Sequence, residues 1–239
     1  MNEYFPDALY EWRARYTGEG SARESAYRAI REKIIFLDYK PGEALNDKLL
    51  AEELNMSRTP VREALIILST VNMVVMKPQA GTFVAPIDAE WLANEQFSRY
   101  TTEKEIVTLA CANVTDEIRR KYEENLRTYA LCCASNAPDR VAELLKLDNE
   151  FHRIAFTAAG MEDNYFHMRN YMQHIERLRV LSLLAQIDKE LNRDHFEISR
   201  AIIEGDRISA QYWTKVHLNR YIESMKAIRE AYPEYFKLR

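Results

Sequence analysis

Leu45-Asn-Asp-Lys-Leu-Leu-Ala-Glu-Glu-Leu-Asn-Met-Ser-Arg-Thr-Pro-Val-Arg-Glu-Ala-Leu65 reads as two short helices joined by a tight turn. Leu49, Leu50 and Leu54 recur at helical spacing, with Lys48, Glu52 and Glu53 on the other face. Asn55-Met56 breaks the pattern, since Asn tolerates the left-handed conformation that ends helices. Ser57 is a good N-cap for the next segment, and Pro60 falls in its first turn, where a missing N–H costs nothing. Val61, Ala64, Leu65 and Leu68 then make one apolar stripe, leaving Arg58, Thr59 and Arg62 on the opposite side near the helix start. Such a helix suits a DNA major groove, because Arg bonds bidentately to guanine edges. The pattern alone also fits a plain helical hairpin with its polar residues in water.

The next stretch decides between these. Val74-Val-Met-Lys-Pro-Gln-Ala-Gly-Thr-Phe-Val84 places apolar β-formers on both sides of a Gly-containing turn, so it predicts strand, turn, strand. Helix, helix-turn-helix and β-hairpin in that order make a winged helix. The segment closely resembles the DNA-binding domain of the GntR superfamily of bacterial regulators, whose signature runs L-A-x-x-L-x-x-S-R-T-P-V-R-E-A-L. Here it is carried by Leu50-Ala51, Leu54 and Ser57 to Leu65, followed by a wing with Gly81. The exposed start of the second helix offers Arg58, Thr59 and Arg62 to DNA, Lys48 and Lys77 add local positive charge, and Gly81 lets the wing backbone approach the minor groove.

Composition narrows the classes. In 239 residues, 47% apolar content suffices for a sizeable core and 29% charged content argues for solubility. No apolar run approaches the ~20 residues that cross a bilayer, and the acidic N-terminus lacks the order of a secretory signal, so a cytoplasmic protein is expected. Cys111, Cys132 and Cys133 lack metal-binding or redox spacing and suit reduced packing thiols. The net charge of −4 speaks against a nonspecific nucleic-acid coat. Nine Lys or Arg against eight Asp or Glu between Arg23 and Pro86 leave the reading head near neutral. Affinity must then come from local charge, specific contacts and a dimer on a palindromic double-stranded operator.

Along the chain, residues 1–22 form an arm with an aromatic-rich stretch before Gly18-Glu-Gly-Ser21. Ala26, Ile30 and Ile34 mark an amphipathic helix from Ser25 to Leu37, closed by Pro41-Gly42. Residues 23–86 make the winged helix-turn-helix domain, 87–90 a linker, and 91–232 a helical effector-binding and dimerisation domain. Breakers divide the last into six helices: Trp91 to Ala112, Asp116 to Ala134, Asp139 to Ala159, Asp163 to Gln186, Lys189 to Ile203, and one from the Asp206 cap to Ala231. The expected fold is therefore mainly α, a winged helix-turn-helix followed by an all-α antiparallel bundle.

Within the bundle, Asp148 and His152 at i, i+4 share one face of an apolar helix, and His195 and His217 lie on later helices. By spacing alone this is a hydrogen-bonded polar pair or part of a divalent-metal site. The region from Trp91 to Ala231 resembles the FCD ligand-binding domain of the FadR subfamily. The resemblance rests on Arg99 with Glu103, Asp148 with His152, Asp194-His195 through Ile198, Ala201-Ile202 and Gly205-Asp206, then Ala210 and His217. It implies that Asp148, His152, His195 and His217 ligate a divalent metal (Zn, Ni or Mn), and the histidines speak against an acyl-CoA ligand. Arg99 and Arg177 are candidates for pairing with an anionic ligand or for structural ion pairs, while His167 and His174 read as ordinary polar residues. The expected function is a metabolite-responsive, sequence-specific transcriptional repressor, not an enzyme, that answers a small organic or sugar acid. The alternative is a metal-dependent His/Asp enzyme fused to a DNA-binding domain.

Overall fold

The computed structural model describes residues 21–185 and 190–237. The expected arm falls almost entirely outside them. The chain divides into two compact units. Of the described residues, one contains 21–95, Arg169–Arg177 and the segment from Arg229, and the other contains Gln96–Met168 and Leu178–Ile228.

The first unit is built on the predicted winged helix. Helix α1 (Ala22–Ile35) starts at a capping box, in which the Ser21 hydroxyl accepts from the Glu24 amide and the Glu24 carboxylate accepts from the Ser21 amide. Helices α2 (Asp47–Glu53) and α3 (Arg58–Thr70) form the helix-turn-helix, and Asn55 takes the left-handed φ of 52° that the turn needs. Ser57 occupies the N-cap of α3, although its hydroxyl makes no capping bond. Ala26, Ile30, Ile34, Leu50, Val61, Ala64, Leu65 and Leu68 close the core between the three helices. Burying each large side chain contributes ~1.5–3 kcal/mol. Strands β2 (Val74–Lys77) and β3 (Gly81–Val84) pair antiparallel, and the two-residue β1 (Ala44–Leu45) joins the other edge of β3. Gly81 has φ +113°, which other residues rarely adopt, and a Cβ there would meet only ordinary contacts with Phe83. Backbone conformation is thus what requires glycine here.

Residues 87–90, expected as a linker, lead straight into helix α4 (Ala89–Ala110). Asp88 Oδ1 accepts from the amides of Glu90 and Trp91 and so starts that helix, while Ile87 is fully buried. Ile87 also exchanges backbone hydrogen bonds with Tyr235 and Lys237, which fastens the C-terminal segment to the same unit.

The second unit is an all-helical bundle. The helices after α4 are α5 (Asp116–Cys133), α6 (Arg140–Ala158), α7 (Glu162–Tyr171), α8 (Gln173–Leu184), α9 (Leu191–Glu204), α10 (Arg207–Asn219) and α11 (Tyr221–Ala231), of which α7, α8 and α11 each contribute residues to both units. Helix α6 packs on α5, and α9 on α10 and α5. Breakers act as read: Thr115 caps α5, Gly205 ends α9 at φ +75°, and Asp206 caps α10. Two expected helices are each divided. The break between α7 and α8 lies at Met172, where the Glu95 carboxylate takes the amides of Gln173, His174 and Ile175. The break between α10 and α11 lies at Arg220, whose guanidinium grips Asp194. Among the described residues, no helix is long and apolar enough to cross a membrane.

Candidate DNA-reading face and metal centre

Helix α3 presents its N-terminal turn outward. Arg58 and Arg62 are 57% and 69% exposed, and Thr59 is exposed beside them. Both arginines lie on Asp47, the first residue of α2. One terminal nitrogen of Arg58 donates to both carboxylate oxygens at 2.8 and 2.9 Å, and Arg62 Nε lies 3.4 Å from Oδ2. Lys48 stands 3.8 Å from Glu52 in a solvent-exposed pair. In the wing, the Lys77 ammonium lies over the Phe83 ring. The stretch that decided the fold therefore puts Lys48, Arg58, Thr59 and Arg62 on the surface of the helix-turn-helix. The sequence reading missed Asp47, because pairing across the turn has no local periodicity.

The second constellation is buried. Asp148 and His152 project from adjacent turns of α6, His195 comes from α9 and His217 from α10. Their candidate ligand atoms all lie within 4.8 Å of one another. His152 Nε2 faces His217 Nε2 at 3.1 Å, and His195 Nε2 faces Asp148 Oδ1 at 3.1 Å. Phe151 stacks on the His195 ring at 3.9 Å, and Tyr129 meets its edge. Burial, and then the neighbouring imidazole charges, drive His195 and His217 well below the usual histidine range. Both rings are therefore neutral, the state a metal ligand needs.

A second layer orients this set. His152 Nδ1 lies 2.8 Å from Glu103 Oε2, and Arg99 Nε donates to the other Glu103 oxygen at 2.6 Å. Burial pushes the Glu103 carboxyl up, but Arg99 and His152 outweigh it and hold it well below the usual carboxylate range. An anionic Glu103 fixes the His152 proton on Nδ1, so the Nε2 lone pair points at the cluster. Arg179 pairs with Asp148 and donates to Asn149 Oδ1 at 2.8 Å. Asp194 binds Arg220 with both oxygens and stands 3.9 Å from His217 Nδ1.

The residues fit a cation. Two imidazole nitrogens facing each other at 3.1 Å can share only one proton, and both His195 nitrogens and His217 Nδ1 are buried without a hydrogen-bond partner among the described residues. Such groups cost ~1–3 kcal/mol each when left unpaired, and a divalent ion would satisfy those aimed inward. Beside His152 and Glu103 lies a cavity of about 10 Å³, roughly one water in size, also lined by Tyr122 and Thr214. The Tyr122 and Thr214 hydroxyls are buried and unpartnered among the described residues. Burial pushes the Tyr122 phenol up, so it stays a donor.

The two arginines singled out in the sequence, as ligand partners or structural ion pairs, occupy different places. Arg99 pairs with Glu103, which in turn meets His152 Nδ1. Arg177 belongs to the other unit, where its fully buried guanidinium donates to the Ala85 carbonyl and faces His174 Nδ1 at 2.8 Å. The guanidinium on the cluster is that of Arg179, for which the sequence carries no signal. His174, read as an ordinary polar residue, is buried, and burial, then the Arg177 charge, push it down to about 3.

Comparison with known proteins finds matches for both parts of the chain. Residues 22–84 match the family of bacterial regulatory proteins called gntR, and residues 98–220 match the FCD domain. Over 216 residues the chain is 28% identical to an HTH-type transcriptional regulator in an unstable DNA locus of Streptomyces ambofaciens, covering 90% of this chain and 89% of that one. It is 26% identical to the HTH-type transcriptional repressor RspR of Escherichia coli over 214 residues, 89% of this chain and 92% of the relative. Among solved structures, E. coli McbR/YncC superposes with a TM-score of 0.72 at 20% identity, over 90% of this chain and 100% of that one. At that identity the likeness speaks for the fold alone.

Proposed function

The chain belongs to the gntR family of bacterial regulatory proteins and carries their FCD domain, and from that premise we propose a metabolite-responsive repressor that works as a homodimer. It is a DNA-binding transcriptional regulator and not an enzyme, which sets aside the fused metalloenzyme. Residues 23–86 would serve as the reading domain and 91–232 as the effector-binding and dimerisation domain. Arg58, Thr59 and Arg62 would enter the major groove, with Lys48 on phosphate and the Gly81 wing at the minor groove. Two such heads on a two-fold axis suit a palindromic operator. The repressor reading draws on RspR, which is described as one. The cytoplasm is where such a protein meets its operator.

The observation that carries the effector reading is the convergence of Asp148, His152, His195 and His217 in a buried cluster. These four would hold a divalent cation, zinc, nickel or manganese, and the cation would supply Lewis-acid positions for a carboxylate oxygen. Glu103, braced by Arg99, holds the His152 tautomer, and the Tyr122 and Thr214 hydroxyls are placed to donate to a ligand oxygen in the adjoining cavity. That cavity admits about one water, so a small organic or sugar acid would enter only as the pocket opens.

The test uses full-length protein purified without chelator or histidine tag. A duplex selected from a random pool should bind at moderate salt. A metal assay should find a divalent ion that is lost in His217→Ala, and one of a panel of small carboxylates should release the duplex only when the metal is present. Absence of any sequence preference would refute the reading head. A metal-free protein indifferent to carboxylates would refute the effector site alone.

A further inference from the structure

Asp47 sits at the front of the reading face, and three observations give it a task there. First, it is the common partner of the two arginines that the sequence reading places on DNA, accepting from Arg58 at 2.8 and 2.9 Å and lying 3.4 Å from Arg62 Nε. Second, it is better anchored than either, at 23% side-chain exposure against 57% and 69%, and its backbone opens α2 directly after the Asn46 cap. Third, it occupies only one arm of the Arg58 fork. Among the described residues the other amino group, Nη1, and Nε of Arg58 meet no acceptor, so two single donors stay available for acceptors on a base edge.

We propose that Asp47 is a positioning and specificity residue for DNA reading, holding Arg58 and Arg62 in one register and cancelling part of their attraction to phosphate. This rests on the assignment of Arg58 and Arg62 as DNA contacts. An arginine side chain at an exposed position samples many rotamers and binds phosphate wherever it meets one. A carboxylate fixed between two guanidiniums removes much of that freedom. It also opposes the phosphate backbone, so that a duplex offering only phosphate gains little. A duplex presenting a guanine acceptor to the remaining amino group of Arg58 gains a hydrogen bond without displacing Asp47. Discrimination thus comes from a repulsive element as well as an attractive one. The nearly neutral charge of the reading domain, nine basic against eight acidic residues from Arg23 to Pro86, is the condition under which one carboxylate matters.

The test measures binding of the full-length protein to the duplex selected above and to a shuffled duplex of equal composition, across a salt series. Asp47→Asn should bind the shuffled duplex several-fold more tightly and show a salt slope steeper by about one ion per protomer. The preference for the selected duplex should fall by about tenfold. Asp47→Glu should restore most of the preference, and both variants should keep the parental melting temperature. A steeper slope with lost preference supports the proposal, since a scaffold residue would move neither. An unchanged preference and slope in Asp47→Asn would overturn it, as would an equal loss of both duplexes. Arg58→Ala and Arg62→Ala separate the two readings. If they bind the selected duplex as the parent does, the reading face is wrong whatever Asp47 does.

Discussion

His195 is wholly buried and stacked on Phe151, yet neither ring nitrogen completes a hydrogen bond among the described residues. A neutral imidazole in that position is a net cost to folding unless something else uses its lone pair. His195→Ala is therefore expected to lose the bound divalent ion, measured by elemental analysis of the purified protein. Operator affinity without effector should stay largely intact, because the reading residues belong to the other unit. Loss of DNA binding with full metal content would show that His195 serves the fold rather than the metal. Arg58→Ala and Arg62→Ala should each weaken operator binding by roughly 1–3 kcal/mol and relax the base preference at one position, read by titrating single-base variants. At this scale the sequence was informative wherever the partners share a helix. Asp148 and His152 lie one turn apart on α6, so their convergence follows from periodicity. Arg179 on Asp148 and Asp47 on Arg58 join different helices, and no local pattern announces them.

Element boundaries tell the same story through backbone hydrogen bonds. The start of α10 was legible because its cap is local: Asp206 accepts from the Ile208 and Ser209 amides at 3.1 and 3.0 Å. The start of α8 was not, because its cap is Glu95, from a helix 78 residues earlier, which accepts from Gln173. Burial raises Glu95 to about 7, against the pull of those three amides and of Arg177. A carboxyl raised in the folded state contributes stability that is complete below its unfolded value near 4.5 and lost as pH rises through about 7. His174, pushed down to about 3, acts in the opposite sense: its contribution is complete above about 6.5 and lost as pH falls toward 3. Between pH 4.5 and 6.5 the two slopes oppose each other. Glu95→Gln removes only the first. Its melting temperature relative to the parent should climb between pH 4.5 and 7.5, by an amount corresponding to on the order of 3 kcal/mol. A difference that stays flat across that range would mean Glu95 does not titrate there, whatever the absolute cost of the substitution.

For the molecule as a whole, the two constellations lie in two compact units of one chain. Their presence was legible because each carries its own motif, Ser57 to Leu65 in one and the Asp/His set in the other. That Arg169–Arg177 and the segment from Arg229 group with the winged helix has no local signal, since the grouping arises from contacts distant in sequence. If the proposed function holds, binding at the cluster and binding at the operator are linked, and linkage is reciprocal by thermodynamic necessity. A divalent ion that binds only the folded bundle should raise the melting temperature by mass action, by about 2.7 kcal/mol at a hundredfold excess over its dissociation constant. His217→Ala should abolish that gain while leaving the metal-free melting temperature less affected. If metal plus a small carboxylate then weakens operator binding by some factor, saturating operator must weaken carboxylate binding by the same factor. Both are measurable on one preparation, the first by fluorescence anisotropy of labelled duplex and the second by calorimetric titration of the carboxylate with and without operator. Unequal factors would mean that the carboxylate acts on a different state or oligomer from the one that binds DNA. Equal factors near one would leave the cluster a purely structural metal site, because a ligand with the same affinity for both states shifts neither.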